Sequence, residues 1–151
     1  MQVTTQRLRF CTQAFLLGLL LCIANTSQAE VKSVFIQSRL DYNAIIITGV
    51  DIIFVYEQAL LDKFPQTKMA WYSGKRRFSE EAGDGIDIVS VFAPQGFDSE
   101  MASLPARRNE ALKVFVFGQH DASTVAPADI TSMENVLVEI DQFGIRVSRR
   151  N

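Results

Sequence analysis

Residues 44–61, AIIITGVDIIFVYEQALL, constrain the chain more than any other stretch. Val50, Ile52, Phe54 and Tyr56 alternate with Asp51, Ile53, Val55 and Glu57, so an extended backbone sends one set to each side. The middle of the run is apolar on both sides. A strand of that kind needs cover above and below, which predicts a central strand between two layers. Gly49 interrupts the run and predicts a bulge or a division into two short strands. From Glu57 the pattern becomes EQALLDKF, good helix formers with Leu60 and Phe64 four apart, stopped by Pro65.

The rest of the chain supplies partners for that strand. Residues 30–41 predict a first strand, with Val34 and Ile36 on one side and Val31 and Phe35 on the other. Thr67 caps a second helix through Phe78, in which Trp71, Lys75 and Phe78 share a face. Residues 79–85 read as a loop. IDIVSVFA (86–93) and ALKVFVFG (111–118) are β-branched strands bounded by glycine and proline. Residues 97–109 and 119–131 read as polar loops. Residues 136–141 and 145–149 alternate about the turn Asp141-Gln142-Phe143-Gly144 and predict a closing hairpin. Six or seven short strands with one helical excursion near residues 57–78 predict a mainly-β domain, a β-sandwich with a short helical insert. The alternative is an α+β domain with helices on one face of a single sheet.

The first 29 residues have the order of a secretory signal. Arg7 and Arg9 precede an apolar run at 10–24, and Ser27 and Ala29 occupy the −3 and −1 positions of a cleavage site. The run is shorter than the roughly 20 residues of a membrane span. The expectation is a signal peptide at 1–29 and one domain over 30–151, located in the periplasm. The alternatives are a retained anchor or an outer-membrane lipoprotein attached through Cys22. Leu21 precedes that cysteine where a lipidation signal carries a small residue, so Cys22 reads as part of the apolar run. Cys11 and Cys22 are the two cysteines, so residues 30–151 contain no thiol and no disulfide. Without Arg7 and Arg9 the chain has 13 basic residues against 17 acidic, a net charge of −4, which gives no attraction to nucleic acid.

No catalytic or cofactor motif is present. His120-Asp121 with Ser90 or Ser123 holds the side chains of a hydrolase, but the chain has no Gly-x-Ser-x-Gly elbow. Glu80, Glu81, Asp84 and Asp87 match no calcium-loop spacing and read as a solvated loop. One histidine and no cysteine after residue 29 leave little with which to bind a transition metal. Lys75-Arg76-Arg77, Arg107-Arg108 and Arg149-Arg150 read as solvated basic runs, able to meet an acidic partner or anionic lipid headgroups. Trp71, Tyr72 and Phe78 read as a satellite core where the helix packs. The competing reading makes Trp71, Tyr72, Arg76 and Arg77 a docking surface for another envelope protein, since these residue types carry many interfaces. A small-ligand binder is the remaining class, and it requires a deep apolar pocket.

Three segments together resemble the small outer-membrane lipoprotein of the bacterial type VI secretion system. They are the step Val55-Tyr56-Glu57-Gln58-Ala59-Leu60 from strand to helix, the late strand 111–120 followed by Asp121, and the closing hairpin 135–147. The resemblance implies a transthyretin-like β-sandwich with a helical insert. It also implies a non-enzymatic role, holding the periplasmic part of a membrane-core subunit near the outer membrane, with no cofactor. Members of that family are lipidated on the first mature cysteine. The signal here fits a soluble periplasmic paralogue or an accessory protein of the same system.

Overall fold

The computed structural model describes residues 28–40, 48–93 and 100–151. In chain order its elements are β1 (Ser33–Ser38), β2 (Thr48–Val55), α1 (Gln58–Leu61), α2 (Lys68–Ala82), β3 (Ile86–Ala93), β4 (Glu100–Met101), β5 (Lys113–Gly118), β6 (Ala128–Asp129), β7 (Asn135–Asp141) and β8 (Gly144–Arg149). All eight residues of β2 are buried. It lies between β3 and β5, antiparallel to both, in a sheet ordered β3-β2-β5-β6. The facing sheet is ordered β4-β1-β7-β8, with β1 and β7 parallel.

The two-sided pattern of β2 has a direct structural meaning. Val50, Ile52 and Phe54 point into the space between the sheets, where they meet Val34, Ile36, Val114, Val116, Val136, Val138 and Ile140. Ile53 and Val55 point the other way, into a second cluster with Phe64, Trp71, Ile86 and Phe117. The helical insert therefore roofs the outer face of one sheet. Two facing sheets make this a β-sandwich with a helical insert rather than helices on a single sheet.

Several boundaries differ from the sequence reading. The β2–β3 ladder runs unbroken from Thr48 opposite Ala93 to Val55 opposite Ile86, so Gly49 marks no break. A Cβ at Gly49 would lie 2.9 Å from Gln119 Oε1 and 3.4 Å from the Phe92 ring, and the glycine leaves room for both. Helix α2 starts where expected, its Thr67 hydroxyl accepting the Ala70 N–H at 3.2 Å. It continues to Ala82 because Ser-Glu-Glu-Ala extends it, and Gly83 stops it with φ of 51°. Strands β4 and β6 lie inside segments that read as loops, since two residues leave no alternation to detect. Residues 44–47 of the opening apolar run, and the signal segment up to residue 27, lie outside the described residues.

Candidate interaction surface

Helix α2 is held to its sheet by an aromatic stack and by one buried carboxylate. Trp71 stacks on Phe117 at 5.7 Å between ring centroids and on Phe64 at 6.0 Å, while Phe64 stacks on Phe115 at 4.4 Å. Phe78 meets Phe64 and Trp71 edge-on. Asp51, 3% exposed, lies under this stack on β2. Its oxygens accept the Trp71 Nε1–H at 2.8 Å, the Ser90 hydroxyl at 2.6 Å and the Lys75 ammonium at 2.8 and 2.9 Å. A carboxylate so enclosed survives burial because a full positive charge and two neutral donors replace its water. Trp71 and Lys75 are four apart, so one helix face delivers both to it. The Tyr72 hydroxyl donates to the Phe117 carbonyl at 3.3 Å. Burial, with the Asp51 and Asp121 carboxylates adding, pushes the Tyr72 phenol well above its ordinary range.

The four residues proposed from sequence as a docking surface separate by depth. Trp71 has no accessible surface and belongs to the roof's core, because its indole is stacked on Phe117 and spent on Asp51. Tyr72 is half-buried. The Arg76 and Arg77 side chains are 93% and 82% exposed, with loose contacts of 3.9 Å to Glu80 and Glu81. Lys75 departs from its run. Its neighbours face water, whereas it turns inward to Asp51. That network was the element missed. An isolated acid in an apolar strand, and a lysine one turn from the helix tryptophan, are its signals in the sequence.

The hydrolase arrangement is not assembled among the described residues. His120 Nε2 lies 3.1 Å from the Gln142 carbonyl. Asp121 accepts the Gly118 N–H at 3.1 Å and the Ile145 N–H at 2.7 Å, clamping the two sheets together at one end of the sandwich. Ser90 is committed to Asp51 and to Lys75, whose Nζ is 2.9 Å from its hydroxyl.

The acidic residues at 80–87 are dispersed. Glu80 and Glu81 lie on the exposed helix, and Asp87 is held by Arg107 at 2.9 Å and by the Tyr56 hydroxyl at 2.7 Å. Arg107 lies 3.9 Å from the Tyr56 ring centroid. The Arg107 bond, helped by the Tyr56 hydroxyl, holds the Asp87 carboxyl below its usual range despite partial burial. No group of three or more His, Cys, Asp or Glu among the described residues is arranged to hold a metal ion. No described helix is long and apolar enough to cross a membrane. The space between the sheets is filled by side chains, and the described hollows, of about 340 to 430 Å³, are open grooves on the surface.

No family model matches the chain, and no curated protein sequence is significantly similar to it. Its structure is similar to that of Serratia marcescens Lip, a membrane bound component of the type VI secretion system. The TM-score is 0.52 at 10% identity, over 82% of this chain and 99% of that one. A second match is the type VI secretion lipoprotein TssJ1 of Pseudomonas aeruginosa, with a TM-score of 0.47 at 6% identity, over 80% of this chain and 98% of that one. The resemblance drawn from sequence thus extends to the fold, at an identity where fold alone is shared.

Proposed function

We propose that this protein is a non-enzymatic envelope protein that binds another envelope protein, as a component or accessory of a type VI secretion system. The observation that carries the reading is the first structural match, which spans nearly the whole of a membrane bound component of that system. The chemistry supports it. The candidate nucleophile is hydrogen-bonded to a buried carboxylate, and the lone histidine meets a backbone carbonyl. What remains is a rigid sandwich with a roofed face, and its surface is its tool. In this reading residues 1–29 export the chain, and the protein works in the periplasm. It is anchored to the outer membrane only if Cys22 carries lipid. The partner is the periplasmic part of a secretion membrane-core subunit. Arg76, Arg77 and the exposed edge of Tyr72 belong to the contact, with Trp71 holding their helix in place.

The test is affinity capture of the exported protein from envelope extracts, with captured proteins identified by mass spectrometry. Recovery of type VI membrane-core subunits, reduced by Arg76→Ala and Arg77→Ala, is the expected result. A reproducible catch without those subunits removes the secretion assignment. Intact mass of the exported form places its N-terminus. A start at Glu30 indicates signal cleavage, and a start at an acylated Cys22 indicates a lipoprotein.

A further inference from the structure

Among the described residues the two sheets have four edges, of which three are blunted and one is not. Strands β4 and β6 have two residues each, and β8 carries Arg146 and Arg149. Short edges and edge charges are the usual protections against a foreign strand. Strand β3, Ile86–Ala93, is eight residues long with an unbroken ladder and without proline or a basic residue. Its single charge, Asp87, is taken up by Arg107 and Tyr56. No described strand pairs with its outer edge.

The ladder fixes which groups that edge offers. The Tyr56 N–H donates to the Gly85 carbonyl at 2.9 Å, in register with the β2–β3 pairing. Antiparallel alternation then turns Asp87, Val89 and Val91 toward β2, and turns the N–H and C=O groups of Ile88, Ser90 and Phe92 outward. Beside this edge, under α2, lies a groove of about 430 Å³ lined by Tyr72, Lys75, Arg76, Ser79, Glu80 and Ile88. Phe92, 63% exposed, extends the same outer face.

We infer that the outer edge of β3 receives an extended segment of a second envelope protein as an added strand. This rests on the envelope-binding reading above and specifies the mode of contact. Main-chain hydrogen bonds to Ile88, Ser90 and Phe92 provide the pairing, and alternate side chains of the segment provide the specificity. One apolar side chain enters the groove against Tyr72 and Ile88, and a neighbouring acid meets Arg76, which holds Glu80 only loosely. A second copy of this chain fits less well. Its own β3 offers only Asp87, already bound by Arg107, and so brings no free acid to Arg76.

The test places a benzophenone-bearing phenylalanine at position 92 of the full chain in its own host. The same residue at position 143, on the hairpin tip where Phe143 is 81% exposed, serves as comparison. The expected result is a light-induced cross-link from position 92 to one contiguous segment of another envelope protein. Arg76→Glu should lower its yield at least tenfold without changing Tm, with Arg76→Ala intermediate. In the purified complex the amides of Ile88, Ser90 and Phe92 should exchange at least tenfold more slowly than in the free protein. A cross-link from position 92 only to a second copy overturns the inference. So does a complex that cross-links from position 143 alone with those amides unchanged, which leaves the envelope-binding reading standing. Failure of both positions together with an empty affinity capture overturns both.

Discussion

The two outer faces of the sandwich differ, and the difference comes from how their central strands alternate. Strand β2 is apolar on both sides, and its outer face carries a helix, an aromatic stack and a second core. Strands β1 and β7 are fully buried on one side only. Their outer face bears half-buried Phe35 and Leu137, with Gln37 and Glu139 further along. Arg150 covers the Phe35 ring at 3.4 Å, and Arg39 pairs with Glu139. Cation–π and ion-pair contacts from water-exposed side chains are enough for that face. The lesson is that one strand's period dictates a whole layer. Where polar residues share the outer side, as with Gln37 and Glu139, solvent completes the sheet; where that side is mostly apolar and its one acid, Asp51, is buried, the chain must supply a roof.

The comparison breaks first at the roof. Trp71→Ala should cost about 3–5 kcal/mol, the range for removing a buried large aromatic side chain, whereas Phe35→Ala on the open face should cost about 1 kcal/mol. Urea unfolding of the two variants measures both. Equal losses would mean that the faces are equivalent.

Asp51→Ala comes next, at about 3 kcal/mol, because it strands the Lys75 ammonium and the Trp71 N–H beneath the helix. The double variant Asp51→Leu with Lys75→Met should recover most of that loss, since it removes both charges together. If it recovers nothing, the carboxylate contributes something beyond the pairing described here.

The roof and its strand were legible from sequence in unequal measure. The alternation in residues 50–57 gave away the central strand and the direction of each side chain. Thr67 and the shared face of Trp71, Lys75 and Phe78 located the helix. The depth of each residue was hidden. Trp71 and Arg76 both suit an interface by type, and only the stack on Phe117 assigns one to the core and the other to solvent. The alternation puts Asp51 on the same side as Ile53 and Val55, but a single acid in a strand does not announce which lysine will meet it. The pairing of β1 with β7, over a hundred residues apart, rests on long-range contacts that local pattern does not encode.

A subtler contrast concerns the ion pair at the foot of β3. Arg107 and Tyr56 hold the Asp87 carboxyl below its unfolded value of 3.8. A depressed carboxylate contributes stability that is present above the unfolded pKa and is lost as pH falls through the folded one. Asp87→Asn should therefore lower Tm at pH 7, and the gap to the unmodified protein should close as pH falls below 3.8. Thermal melts between pH 7 and pH 2 measure this. A gap that persists at the acid end would assign the loss to hydrogen-bond geometry rather than charge.

The smallest effect belongs to the exposed guanidiniums. Arg76→Ala and Arg77→Ala should each leave stability within about 0.5 kcal/mol, as their contacts to Glu80 and Glu81 are long and solvated. Thermal melts that drop by several degrees would place these residues in the fold rather than on a binding surface.

The central claim is that the helical insert is a permanent roof, so that the protein presents a fixed surface to the partner proposed above. Native-state amide exchange of the full chain tests it most directly. The account predicts that the amides of Trp71, Tyr72 and Lys75 in α2 exchange only through the same global opening as those of Ile52 and Ile53 in β2. Exchange of the α2 amides through a separate opening, hundreds of times more frequent than that of β2, would make the insert a mobile lid and contradict the account.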